Sequence, residues 1–221
     1  MDATWTRVDE YLESVCLGKD PVLEAVLKSC DDAGLPRIAV SPLQGRFLGL
    51  MVQLRGAARV LEVGTLGGYS TICMARRLAP GGKLVTLEID DRHATVAREN
   101  FRRAGLSGSI ELHVGPASDT LDLLIRQCAA PFDVVFIDAD KPSTRRYFEC
   151  ARRLTRPGSV IIVDNVVRHG AVADEAPGDD AVRGIREFFE VARRDPGVSF
   201  TALQTVGLKG YDGLAIAVVN G

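Results

Sequence analysis

The 221-residue sequence has no apolar run long enough for a signal peptide or a membrane span, and residues 1–15 alone carry Asp2, Arg7, Asp9, Glu10 and Glu13. That absence sets the expectation of a cytoplasmic protein without a membrane partner. An excess of one charge is also missing. The 27 Lys and Arg against 29 Asp and Glu leave a formal charge of -2, so no long-range field favours a nucleic acid. Aromatic residues are scarce at 6%, and no basic patch is interleaved with them, which argues against DNA as a partner. Metal-ligand spacing is absent among Cys16, Cys30, Cys73, Cys128 and Cys150, and an odd count without an export signal reads as reduced, packed thiols. Internal repeats, low-complexity tracts and a linker are lacking too, the one strongly loop-like stretch being Ala173 to Asp180. One domain over 1–221 is therefore expected.

What is present falls into two parts. Residues 1–55 read as helical: Val8, Leu12 and Val15 recur at helical spacing, Lys19-Asp20-Pro21 opens a second helix, and Ser41-Pro42 pairs an N-cap with proline at the first helical position of a third. From residue 56 onward, β-branched runs at 60–63, 84–89, 110–114, 134–137 and 160–163 alternate with helical patterns at about 70–79, 91–105, 118–129 and 143–154. That rhythm predicts right-handed βαβ units and a parallel sheet. A helix at about 180–194 then precedes two strands, about 198–205 and 213–219, separated by a short glycine-containing segment that predicts an antiparallel hairpin. The fold class is α/β: a Rossmann-like, seven-stranded, mostly parallel sheet with helices on both faces, plus N-terminal helices.

The densest motif is Val60-Leu61-Glu62-Val63-Gly64-Thr65-Leu66-Gly67-Gly68-Tyr69-Ser70, a buried strand running through a glycine turn into a helix. Such a turn lets backbone approach a ligand and aims helix N–H groups at an anion. Leu66 stands where a dinucleotide fingerprint needs its second glycine, so a nicotinamide-dependent oxidoreductase is disfavoured. The spacing instead fits the Glu-x-Gly-x-x-x-Gly pattern of S-adenosylmethionine sites. Glu88 ends the second strand about twenty residues later, where a carboxylate accepts from ribose hydroxyls, and Asp90 reads as the next N-cap. The fourth strand ends in Asp138-Ala139-Asp140-Lys141 and the fifth in Asp164-Asn165. Both ends face one crevice in an open α/β sheet, and Asp138, Asp164 and Asn165 offer hard oxygen ligands suited to Mg²⁺ or another divalent cation. Helix caps and turn residues are the plainer alternative for these Asp and Asn side chains. His93 and His113 lie in or beside ordinary helix and strand patterns, His169 follows the Asp164-Asn165 strand end, and all three are poor candidates for chemistry.

Together these motifs resemble the metal-dependent O-methyltransferases of the catechol and caffeoyl-CoA type, from about residue 38 to the C-terminus. The resemblance implies metal ligation by Asp138, Asp164 and Asn165, and proton removal from the acceptor hydroxyl by Lys141 as the catalytic base. It implies a cofactor site of Val40, Glu62, Gly64, Gly68, Tyr69, Ser70, Glu88, Ala117 and Asp138, with Ser70 on the methionine carboxylate and the Gly115–Ser118 turn beside adenine. A homodimer is implied as in many relatives. Three positions depart from the family's common pattern: Ile38 replaces methionine, Thr144 tyrosine and Arg168 tryptophan. The last two are expected near the acceptor, and Arg168 could meet an acidic acceptor or a phosphopantetheine arm.

The function expected is methylation of a hydroxyl on a small chelating acceptor, such as a catechol-like diol, which a divalent cation would activate. The alternatives are an α-hydroxyacyl thioester or other natural-product intermediate, free or carrier-bound, and a non-catalytic adenosylmethionine-binding module. Hydroxyuridine in transfer RNA, another acceptor within reach of the resemblance, is opposed by the missing basic patch.

Overall fold

Strands buried on both faces must be apolar nearly throughout, and the runs at 134–137 and 160–163 meet that demand, whereas the 110–114 run alternates as an edge strand does. The computed structural model describes residues 3–174 and 178–221. Its strands β1 (Arg59–Val63), β2 (Lys83–Glu88), β3 (Ile110–Val114), β4 (Phe132–Ile137) and β5 (Thr155–Asp164) pair in parallel in the order β3-β2-β1-β4-β5. The strands β6 (Val198–Gly207) and β7 (Gly210–Val219) form the antiparallel hairpin, and β7 docks antiparallel on β5. The sheet thus reads β3-β2-β1-β4-β5-β7-β6, the expected Rossmann-like arrangement.

The helices are α1 (Ala3–Cys16), α2 (Pro21–Asp32), α3 (Pro42–Arg55), α4 (Tyr69–Ala75), α5 (Asp91–Arg103), α6 (Ala117–Arg126), α7 (Thr144–Arg153) and α8 (Asp180–Arg194). Their starts follow local chemistry. Asp20 accepts from the Leu23 N–H, Ser41 from Gln44, Asp90 from Arg92 and Asp179 from Val182, each relieving an orphan donor of a first turn.

Alternation along the strands divides the core into two layers. Val134 and Phe136 of β4 face a cluster with Val26 of α2, Leu48 and Val52 of α3, and Ile72 and Met74 of α4. Val135 and Ile137 face the other side, with Leu121, Tyr147, Phe148, Ile185 and Phe188. α1 contributes no buried residue.

Two boundaries differ most from expectation. β5 starts at Thr155 rather than 160, because Pro157 and Gly158 are carried within the strand by a register shift against Phe132–Val134, with Gly158 at φ 82° and Ser159 Oγ donating to the Phe132 carbonyl. α4 ends at Ala75 rather than near 79. Within the loop-like stretch, Glu175, Ala176 and Pro177 lie outside the described residues.

Between β1 and β4 the strand order reverses, and connections from the two strands leave in opposite directions. That opens a crevice beyond their C-terminal ends.

Candidate active site

The crevice is a cavity of about 820 Å³ that spans the ends of β2, β1, β4 and β5. At one end, β1 leaves the sheet through Gly64 at φ 100°. A Cβ on Gly64 would collide with the Asp138 carbonyl oxygen, so only glycine lets the two strand ends approach this closely. Glu88 then organises the turn. Its Oε2 accepts from the Thr65 and Leu66 N–H groups at 3.2 and 2.7 Å, and its Oε1 from Ile89 and Asp90 at 2.9 and 3.0 Å. One carboxylate thus ties the β1 turn to the β2 turn and also lines the cavity.

Beneath the turn, Glu62 is completely buried, with Ser70, Thr71 and Thr86 all donating hydroxyls to it. Burial pushes its carboxyl up to about 7 against the lowering effect of those three hydroxyls.

The other end of the cavity is built from the ends of β4 and β5. Lys141 Nζ donates to Asp138 Oδ1 at 2.9 Å, and both residues line the cavity. Asp140 receives the Tyr147 hydroxyl at 2.5 Å and the Ser143 N–H at 3.2 Å. Asp164 sits just behind Asn165: its Oδ2 accepts from Gln44 Nε2 at 2.5 Å and its Oδ1 from the Asn165 N–H at 2.8 Å. Burial first, and the Asp138 charge second, raise the Asp164 carboxyl above its ordinary value. Asn165 adopts the left-handed conformation at φ 58° and lines the cavity.

The O-methyltransferase family model matches residues 13–217, nearly the whole chain. The chain belongs to the O-methyltransferase family. Catechol O-methyltransferases from Niastella koreensis and Mycobacterium tuberculosis are 48% and 50% identical to it over 96% of the chain, covering 96% and 95% of their own lengths. An O-methyltransferase from Bacillus cereus, solved in complex with SAH, superposes with a TM-score of 0.98 at 52% identity, each chain covered in full. One from Streptomyces achromogenes involved in tomaymycin synthesis, solved with SAM, gives 0.95 at 44% identity, again with full coverage of both chains.

In this O-methyltransferase the cavity brings together most of the residues picked out from sequence: Val40, Gly64, Tyr69, Ser70, Glu88, Ala117, Asp138, Lys141 and Asn165 all line it. Three stand behind its wall. Glu62 lies under the turn, Asp164 is covered by Gln44, and Gly68 faces Phe101, whose ring occupies the space a Cβ would need. Ser70 gives its hydroxyl proton to Glu62, so toward the cavity its Oγ is an acceptor. Thr144, expected near the acceptor, is instead buried, because it opens α7 facing the core; Tyr147, one turn on, is the α7 side chain that lines the cavity.

Sequence reasoning passed over four contributors. Gln44 reaches Asp164 across 120 positions. Cys30 and Tyr147 line the wall, and His93 lines it with Nδ1 3.5 Å from Glu88 Oε1. The helical periodicity of α2, α5 and α7 marks their buried faces but not which residue at the face's edge meets a cavity; only the position of His93 five residues after Glu88 offered a signal.

Proposed function

We propose that this O-methyltransferase transfers the methyl group of S-adenosylmethionine to a hydroxyl of a small, metal-chelating acceptor, with catechol-like diols as the leading class. The single observation that carries this reading is one cavity with an adenosylmethionine-type turn, Gly64 to Ser70 with Glu88, at one end and Asp138, Lys141 and Asn165 at the other, backed by Asp164. SAH and SAM in the two solved relatives support the cofactor assignment. In this reading Glu88 accepts from the ribose hydroxyls, the first turn of α4 with Tyr69 and Ser70 meets the methionine end, and Val40 and Ala117 pack beside the cofactor.

The donor set fits a hard divalent cation such as Mg²⁺. Asp138 and Asp164 are close enough to raise the Asp164 carboxyl, a repulsion that a dication would relieve, and the Asn165 amide adds a neutral oxygen. Each Asp164 oxygen accepts one hydrogen bond, which leaves further lone pairs on both. When bound, the cation supplies Lewis acidity that makes the acceptor hydroxyl easier to ionise.

The chain's own residues do the rest. Asp138 holds Lys141 Nζ in place, and Nζ, once neutral, takes the hydroxyl proton. The turn holds the methyl donor in line with the resulting oxyanion, a juxtaposition worth about 7–11 kcal/mol of barrier. Gln44 fixes the orientation of Asp164.

Further parts of this reading are a cytoplasmic location, consistent with five free cysteines and no helix long and apolar enough to cross a membrane among the described residues, and one catalytic domain over 1–221. A homodimer is also proposed. It is supported by Tyr11 and Val15 of α1 and Leu203 and Val206 of β6, apolar side chains left more than half exposed on two contacting elements.

The test is metal binding itself. Mn²⁺ titrated into the protein and followed by electron paramagnetic resonance should report one site, lost in Asp138→Ala. Full Mn²⁺ binding by that variant would remove the metal site from the proposal.

A further inference from the structure

Arg168 lies at the acceptor end of the cavity, and its chemistry there is not used by the reaction described above. The cavity runs from β2 over β1 and β4 to β5. Arg168 follows β5, two strands from the glycine turn, or about 10 Å at ordinary strand spacing. It therefore stands with Asn165 on the side of the cavity away from the cofactor turn.

The backbone is shaped to present it. Arg168 and His169 both adopt left-handed φ, 54° and 56°, followed by Gly170 at 95°. Non-glycine residues rarely hold this conformation without external support. Asp212 provides that support: its Oδ1 accepts from the Val167, Arg168 and Gly213 N–H groups at 3.0, 3.0 and 2.9 Å. Asp212 hydrogen-bonds the backbone and pairs with the guanidinium by charge alone, its Oδ2 standing 3.9 Å from Arg168 Nη1, beyond hydrogen-bond reach. Among the described residues the Arg168 guanidinium makes no hydrogen bond, although its side chain is only 30% exposed.

Glu88, Asp138, Lys141 and Asp140, by contrast, are all hydrogen-bonded. Glu88 accepts four backbone N–H groups, Asp138 pairs with Lys141, and Asp140 takes Tyr147 and Ser143. A half-buried guanidinium with free planar donors, facing a ligand cavity, is suited to a carboxylate.

We propose that Arg168 is a specificity-determining residue that binds a carboxylate on the acceptor, so that the preferred acceptors are acidic catechols or hydroxy acids rather than neutral ones. This rests on the proposed function, in which the acceptor's hydroxyls lie at Asp138, Lys141 and Asn165. The carboxylate would then sit on the β5 side of the acceptor.

The experiment compares 3,4-dihydroxybenzoate with its methyl ester, which keeps the diol and the shape and removes the charge. The wild type should prefer the acid. In Arg168→Gln the acid-to-ester ratio of kcat/KM should fall roughly tenfold to hundredfold, the range of a charge-assisted hydrogen bond pair. Arg168→Lys should recover part of it, as a point charge without the planar fork. An unchanged ratio in Arg168→Gln would overturn the assignment.

Calorimetric binding of 3,4-dihydroxybenzoate to the protein loaded with SAH and Mg²⁺ separates this from failure of the reaction class. Weaker binding by Arg168→Gln supports the inference even if the wild type methylates neither compound, an outcome that would sink the proposed acceptor class. Equal affinities, or no binding to the wild type, overturn the inference. Displacement of the acid by pantetheine 4′-phosphate would assign the anion to a carrier arm and likewise overturn the carboxylate.

Discussion

Replacing Glu62 by glutamine should change how stability depends on pH, in a direction set by its burial. The folded protein holds the Glu62 carboxyl at about 7 against an ordinary value of 4.5. The folded state therefore binds this proton more tightly than the unfolded chain does. The stability gained is fully present below pH 4.5, declines as pH rises through 7, and is gone above it. The gap corresponds to about 3 kcal/mol. Glutamine keeps the shape and never ionises, and the Ser70, Thr71 and Thr86 hydroxyls can turn to accept from its amide.

Urea unfolding of wild type and Glu62→Gln from pH 5 to pH 8.5, in EDTA, measures the difference. The raised Asp164 carboxyl contributes to both curves and cancels in that difference. The variant should gain about 3 kcal/mol relative to wild type across the interval. Parallel curves would refute the account of Glu62 as a buried carboxyl held near neutrality.

Gly64→Ala should destabilise the protein by about 3 kcal/mol, since it combines a positive φ with a collision against the Asp138 carbonyl; thermal unfolding reads the loss. Gln44→Ala should weaken Mn²⁺ binding roughly tenfold to hundredfold by freeing Asp164, as measured by paramagnetic titration, while a merely structural role would lower the melting temperature without changing metal affinity. Lys141→Ala should lower kcat about 10²–10⁴-fold while leaving calorimetric SAH affinity near the wild-type value, and equal losses in both would remove it as the base.

The fold was legible because each level of sequence pattern agreed with the next. Val60–Val63 and Val134–Ile137 read as strands by β-branching, and the caps Asp20, Ser41 and Asp90 marked helix starts through their own side chains. The strand-end acids were legible for a related reason: topology alone brings the ends of β1, β2, β4 and β5 to one crevice.

What escaped was side-chain pairing across long chain separations. Glu62 belongs to a motif associated with ligand binding, yet it meets hydroxyls from positions 70, 71 and 86, a convergence no local spacing encodes. Gln44 and Asp164 meet only after the sheet forms, and the role of Asp212 depends on the hairpin laying β7 against β5. The start of β5 was not legible because Pro157 and Gly158, unfavourable within a regular strand, lie at its register shift.

The most direct test of metal-dependent methylation is transfer from labelled S-adenosylmethionine to 3,4-dihydroxybenzoate, first with Mg²⁺ and then after complete chelation by EDTA. The account predicts a methoxy product that disappears with the chelator and returns when Mg²⁺ is restored. Transfer that continues at full rate without a divalent cation would contradict it.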